Sequence, residues 1–261
     1  MQEKKIIIRS NREDICVPVN QILYVIMNRN IAEIHLSTEK IYETRITLTE
    51  LQEKLGSDFV LVHRSILVSV MAIHDVSDLI HLYNGETLEY VTRRKKQIRD
   101  QVYEKRKEIV GGFPKDNIPR TEEEYCEYFR GFEHMPFAFT DIEMVFNHKQ
   151  QAVDWVFRYG NQALARLEKL PLSQMIGNSF GSLFANMDAK WLFSYERATL
   201  YGETREIIDY SPEIDTYLKV ICFPTFPGHC GCILFNINEI EFTRNSSDAE
   251  KALKLYLQEN A

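Results

Sequence analysis

The sequence predicts a two-domain protein: an N-terminal mostly-β domain, then a C-terminal α+β domain built on an antiparallel sheet. Three observations carry this. Residues 1–110 break into many short β-rich runs separated by polar or turn residues. The stretch "IVGGFPKDNIPRTEEE" then gathers Gly111, Gly112, Pro114 and Pro119, which is the composition of a linker. Beyond it, strand-like and helix-like runs alternate in longer pieces. The expected boundaries are a β domain at 1–110, a linker at 111–120, an α+β domain at 121–243 and a C-terminal helix at 244–261.

In the first domain "KKIIIRS", "DICVPV", "QILYVIM", "NIAEIHLS" and "KIYETRIT" read as strands, being rich in β-branched and aromatic residues. A helix interrupts at "TLTELQEKLG". Thr47 and Glu50 fit a capping box, Leu48, Leu51 and Leu55 form an apolar face, and Gly56 stands where the helix should stop. Strands resume with "FVLVH", "SILVSV", "AIHDVS", "DLIHLY" and "ETLEYVT". Asn84-Gly85 between the last two predicts a two-residue hairpin loop, since both residues tolerate positive φ. A second helix, about 94–110, places Ile98, Val102 and Ile109 near one face and charges on the rest.

After the linker, "EEEYCEYFRGFEHMPFAFTDI" reads as a short helix and a strand, and "AVDWVFRYGNQALARLEKLP" as a strand and a helix. "IGNSFGSLF" is short helical or irregular, and "DAKWLFSYERATLYG" is helical. "TREIIDYS", "TYLKVICFPTF" and "GHCGCILFNINEIEF" predict three antiparallel strands. The tail "SSDAEKALKLYLQEN" predicts a capped helix with Ala249, Leu253 and Leu257 on one face.

Composition narrows the function classes. With 44% hydrophobic residues in 261, a packed core can form. No apolar run approaches the roughly 18 residues of a membrane helix. The three isoleucines before Arg9 are too few for a secretory leader, so a soluble cytoplasmic protein is expected. Five unevenly spaced cysteines, an odd number, fit reduced thiols. The net charge of −7 is unevenly spread: residues 1–110 hold 17 Lys and Arg against 16 Asp and Glu, and the rest hold 14 against 22. Within the near-neutral first domain, "RRKKQIR" has five cations in seven residues, which points to an anionic partner.

One further stretch asks for an explanation. "FVLVHRSILVSV" places His63, Arg64 and Ser65 in the middle of an apolar run. Together with the helix "TLTELQEKL", the "NG" hairpin and the "TRR" triplet opening a basic helix, it resembles the LytTR family of bacterial DNA-binding domains over about residues 3–105. Ile66 and Ser69 stand where that family commonly has an aromatic residue and an asparagine. The resemblance implies a compact antiparallel β-fold that reads double-stranded DNA, at repeated sites, through loops and strand ends. It assigns DNA contacts to Arg64, to Asn28 and Arg29 after the strand "QILYVIM", and to Arg93 and Arg94 of the triplet. Arginine presents a planar fork to guanine O6 and N7 or to phosphate, and asparagine can serve adenine or phosphate. Lys95 and Lys96 suit phosphate contact without sequence reading. His63 is expected to hydrogen-bond within the strand junction. A phosphorylation switch of the response-regulator kind is not expected, because no receiver domain precedes the DNA-binding domain.

The second domain resembles a PAS domain over roughly 122–242. The resemblance is carried by "PFAFTDI", by "DWVFRYGNQALARLEKL" with its strand-to-helix Asn161, and by "MIGNSFGSLF" and the closing strands. It implies a five-stranded antiparallel sheet with helices covering a pocket, used for sensing or dimerising. Phe139, Trp155, Phe157 and Asn161 are the candidate pocket residues, with Phe137, Phe180 and Trp191 as further aromatics. No reactive-cysteine signature of a flavin photosensor occurs, His134 and His148 stand in no haem-ligand motif, and the cofactor is left unassigned. "GHCGC" offers two thiols and one histidine, without the usual C-x₂₋₄-C spacing of a zinc site, so no metal is expected. No phosphate-cradling glycine loop, G-x-S-x-G or H-E-x-x-H occurs, and no catalysis is expected.

These readings converge on a sequence-specific DNA-binding transcriptional regulator, expected to be a homodimer, whose PAS-like domain senses a signal or mediates dimerisation and whose pocket could take a small-molecule ligand. The alternative is a signalling adaptor, in which the PAS domain binds a protein partner and the basic N-terminal domain contacts protein or RNA. Operator sequence, and activation versus repression, are not encoded in these features.

Overall fold

The computed structural model describes residues 4–114, 116, 118–185 and 189–237. The helix expected at 244–261 and the end of the domain expected at 121–243 lie outside the described residues. The chain divides into two compact units between Gly111 and Gly112.

The first unit opens with a hairpin of β1 (Lys5–Ser10) and β2 (Glu13–Pro18). β3 (Ile22–Asn28), β4 (Ile31–Leu36) and β5 (Ile41–Thr44) follow, then α1 (Leu48–Leu55), then β6 (Phe59–His63) and β7 (Ile66–Ser69). These five strands form one antiparallel sheet in the order β5-β4-β3-β7-β6, with β3 at its centre. Both faces are covered. Ile22, Val25, Phe59 and Leu67 pack with Leu51 and Leu55 of α1. Tyr24, Val60, Val62 and Val68 pack on the opposite side. A strand buried on two faces needs apolar residues at both parities, which explains the near-continuous run around residues 59–70.

The capping box of α1 is formed: Thr47 Oγ1 accepts from Glu50 N–H, and Glu50 accepts from Thr47 N–H at 3.0 Å. Gly56 ends the helix at φ 78°. The second core is completed by a small sheet of β8 (Ile73–Val76), β9 (Ile80–Leu82) and β10 (Thr87–Leu88), and by α2 (Lys95–Gly111).

Two expectations are corrected here. The hairpin joining β9 and β10 has a three-residue loop, because Leu82 pairs with Glu86 and only Gly85 takes a positive φ, 87°. On α2 the third buried position after Ile98 and Val102 belongs to Arg106, not Ile109. The Arg106 guanidinium donates to Tyr83 Oη at 2.5 Å and Ile73 O at 3.4 Å, so its burial is matched by acceptors. α2 also runs one residue into the expected linker.

The second unit begins with α3 (Glu122–Tyr128), capped by Thr121. β11 (Ala138–Phe146) and β12 (Ala152–Gly160) form a hairpin. Four helices follow: α4 (Gln162–Leu167), α5 (Leu172–Met175), α6 (Phe180–Leu183) and α7 (Ala189–Tyr201). β13 (Arg205–Ser211), β14 (Thr216–Pro224) and β15 (His229–Asn236) complete an antiparallel sheet ordered β12-β11-β15-β14-β13. This is a PAS-like α+β unit. The single-turn α5 had no counterpart in the sequence reading.

Its sheet also has two buried faces. Ala138, Ile142, Trp155, Phe157, Cys230 and Cys232 pack on α4 and α7. Phe139 and Tyr159 point the other way, into an aromatic cluster with Tyr125, Phe129 and Phe226. On that second face Asp141 is fully buried and accepts from Thr225 Oγ1 at 2.5 Å, with His229 Nδ1 at 2.8 Å.

Candidate nucleic-acid interface and pocket

Strand pairing brings two predicted contact regions to one end of the first sheet. β3 and β7 run antiparallel with Ile26 opposite Ile66, and Met27 N–H donates to Ser65 O at 2.8 Å. The end of β3 and its turn to β4, with Asn28 and Arg29, and the β6–β7 turn, holding Arg64, therefore emerge side by side. All three residues are exposed. Asn28 reaches Glu33 at 3.5 Å, while Arg29 and Arg64 make no ion pair among the described residues.

The Arg64 turn is held by its neighbours. Ser65 N–H donates to His63 Nδ1 at 3.4 Å, and Ser65 Oγ lies 2.9 Å from the same nitrogen. A nitrogen that accepts from a backbone N–H carries no proton, so the serine hydroxyl is the second donor. His63 thus clamps the turn and leaves Arg64 pointing outward. A shift in register between Leu61 and His63 accompanies the turn.

The third region joins the same strand. Val91 N–H donates to Val62 O at 3.0 Å, two residues or roughly 7 Å along β6 from Arg64. Arg94 is half-buried and its Nη1 donates to Leu61 O at 2.7 Å. This bond anchors the start of α2 to β6 and directs that arm of Arg94 into the protein. Arg99 likewise donates from Nε and Nη2 to Val76 O, at 3.0 and 2.5 Å. Of the basic run, Arg93 and Lys96 are exposed, Lys95 is partly exposed, and none of the three makes an ion pair among the described residues.

Residues 12–102 match the LytTr DNA-binding domain family. This segment is a LytTr DNA-binding domain. Among solved structures, a LytTr DNA-binding domain from Bacillus cereus is 19% identical, with 38% of this chain and 97% of that chain covered and a TM-score of 0.34. The LOV protein of Rhodobacter sphaeroides is 14% identical, with 52% of this chain and 79% of that chain covered and a TM-score of 0.34. A PAS domain of an HTR-like protein from Haloarcula marismortui is 14% identical, with 45% of this chain and all of that chain (100%) covered and a TM-score of 0.31. No curated protein matches the chain. Among the described residues, no helix is long and apolar enough to cross a membrane.

Arg29 sits in the LytTr domain at φ 58°, a left-handed conformation that glycine adopts more readily. Arg29→Gly should leave stability unchanged or raise it by up to about 1 kcal/mol. The same change should lower DNA affinity about tenfold, the scale of one lost charged contact. Chemical denaturation and a binding titration on the same preparation check both halves.

In the PAS-like unit the cavity lies between the sheet and α4, α6 and α7, with a volume of about 40 Å³. Trp155 and Phe157 line it, as do Phe180 and Trp191. Two candidate pocket residues are corrected. Phe139 has the opposite parity on β11 and stacks on Phe132, with ring centroids 4.0 Å apart, on the far face of the sheet. Asn161 is buried and occupied: Oδ1 accepts from Leu164 N–H (3.0 Å) and Phe139 N–H (3.1 Å). Its Nδ2 donates to Phe132 O and Phe137 O, both at 2.9 Å. It is the N-cap of α4 and has no donor or acceptor left for a ligand. Phe137 lies outside this cavity and, with Phe235 and Arg166, lines a second, larger pocket of the unit.

The sequence reading missed two acidic lining residues, Glu168 and Glu213. Burial, and then the charge of Glu213, push the Glu168 carboxyl up to about 7. In "GHCGC", Cys230 and Cys232 face this side of the sheet with sulfurs 3.9 Å apart, while His229 faces the other side. No group of three or more metal-ligating side chains occurs among the described residues.

Proposed function

We propose that the chain is a sequence-specific transcriptional regulator. Its LytTr domain reads double-stranded DNA through Asn28, Arg29 and Arg64, with Arg93 beside them. Lys95 and Lys96 hold phosphates, and Arg94 positions the start of α2. The observation that carries this reading is the convergence of two exposed, unpaired arginine turns at one end of a rigid sheet. Rigid elements present side chains more accurately than free loops do. The PAS-like unit, taken as 121–243 behind a linker at 111–120, senses a signal or pairs two chains.

The test is a titration of the full chain on its best operator and on a scrambled duplex across a range of salt. A reader of DNA loses affinity steeply with salt on both, yet keeps a gap of at least about a thousandfold between them. No gap would overturn the reading and favour an adaptor that contacts protein or RNA.

Two expected outcomes refine it. Replacing Lys95 and Lys96 by alanine should weaken operator and scrambled duplex alike and flatten the salt slope by about one unit per lost phosphate contact. If the full chain is a dimer, a duplex with two sites should bind at least about tenfold tighter than a duplex with one, through effective concentration alone. Sedimentation of the free chain, followed by one-site and two-site titrations, checks this.

A further inference from the structure

We infer that the cavity of the PAS-like unit is a binding site for a small primary alkylammonium ion. The carboxylates of Glu168 and Glu213 would hold its charge, and the aromatic walls would pack its alkyl part. This deepens the sensing reading above and rests on it for any consequence at DNA.

The charge arrangement is the first argument. Glu213 Oε2 accepts from Ser211 Oγ at 2.7 Å, but Glu213 Oε1 is buried without a hydrogen-bond partner. Glu168 lines the same wall, and its carboxyl makes no hydrogen bond or ion pair among the described residues. No lysine or arginine lines the cavity. Two carboxyl groups therefore line one small, partly open cavity with no cation among its described lining residues. An unpaired buried acceptor costs about 1–3 kcal/mol, and more when charged. A guest that brings a positive charge and N–H donors removes that cost.

The remaining lining is the second argument. Trp155, Phe157, Phe180 and Trp191 supply apolar walls and π faces, which attract cations and pack short alkyl groups. The volume of about 40 Å³ corresponds to roughly three water-sized positions, enough for three or four non-hydrogen atoms. An anion meets like charge here. A neutral alcohol leaves the carboxylates uncompensated. A quaternary ammonium has no N–H for Glu213 Oε1. A primary ammonium on a short chain meets every condition.

Titratable groups facing the space are Glu168, Glu213, Tyr195 and Cys232. With its carboxyl pushed up to about 7, Glu168 keeps a proton part of the time at neutral pH. The arriving ammonium takes the place of that proton, which leaves to solvent.

The test uses a property of the composition. The chain has two tryptophans, and both line this cavity. Intrinsic tryptophan fluorescence of the full chain thus reports on this site. The full chain is titrated with isopropylammonium chloride, and separately with isopropanol, tetramethylammonium chloride and sodium chloride. The expected result is a saturable change with isopropylammonium at no more than a tenth of the concentration needed for isopropanol. Tetramethylammonium should respond more weakly, and sodium should give no response. Glu213→Gln and Glu168→Gln, each nearly isosteric, should weaken the response at least tenfold. An equal response to isopropanol, no saturation, or glutamine variants that fold and respond like the parent would overturn the inference. If the variants do not fold, the ammonium-to-alcohol comparison on the unaltered chain decides.

Operator affinity measured in the same titrations separates the two readings. Isopropylammonium binding without any change at DNA leaves the site standing and removes the sensing role. A change at DNA caused by isopropanol alone does the reverse.

Discussion

Arg64→Ala should weaken binding to the best operator by about tenfold to a hundredfold, or roughly 1–3 kcal/mol, and relax the preference at one base position. Thermal stability should stay within about 0.5 kcal/mol of the parent, because Arg64 is exposed and forms no ion pair among the described residues. Arg64→Lys separates two kinds of contact. Lysine keeps the charge but loses the planar fork, so a phosphate contact survives the change and a guanine contact does not. His63→Ala should show the opposite balance. It removes the acceptor that holds Ser65 N–H and Oγ, costing about 1 kcal/mol of stability while the arginine itself remains. Operator affinity of Arg64→Ala equal to the parent would remove the sheet end from the DNA interface.

Asn161→Ala should destabilise the PAS-like unit by about 3 kcal/mol and lower its melting temperature by roughly 10 °C. One side chain there holds four backbone groups: two N–H donors, at Leu164 and Phe139, and two carbonyls, at Phe132 and Phe137. Alanine leaves all four without a side-chain partner and removes the cap of α4. Asn161→Asp keeps the acceptors but places a charge against the carbonyls of Phe132 and Phe137, so it should recover only part of the loss. Calorimetry of the full chain gives the measurement. A variant with unchanged melting but altered ligand response would return Asn161 to the pocket.

The contrast between these two residues marks what the sequence makes readable. Features set by neighbours in the chain were legible. Thr47, Glu50 and Gly56 bound α1 as their order implies, and His63 with Ser65 closes its own turn. The LytTr domain was legible because four local features stand in one order. Features set by partners distant in the chain were not. The loop at Asn84-Gly85 has three residues because Leu82 pairs with Glu86, which the dipeptide alone does not encode. Asn161 was recognised at a strand-to-helix junction, but its acceptors and donors come from residues up to 29 positions away. Phe139 was placed in the pocket because strand parity was unknown, and a shift of one residue exchanges the two faces. Ala138 and Thr140, on either side of it, face the cavity side. Glu168 and Glu213 stand far apart in the chain, and only folding joins the end of α4 to the turn after β13.

The two-faced sheet of the PAS-like unit has a consequence for how such a protein diverges. Along β11 neighbouring residues belong to different compartments, Thr140 and Ile142 to the cavity and Phe139 to the layer beneath α3. On β12 a register shift at Arg158 passes the strand from the cavity side, with Trp155 and Phe157, to the other layer at Tyr159. A substitution on the cavity side alters what the cavity admits and leaves the other layer chemically untouched. Under the proposed sensing role, descendants of this chain can change their signal through cavity-side residues while preserving the surface on which α3 rests. Variation should accumulate at cavity-side positions and be purged from the layer beneath α3.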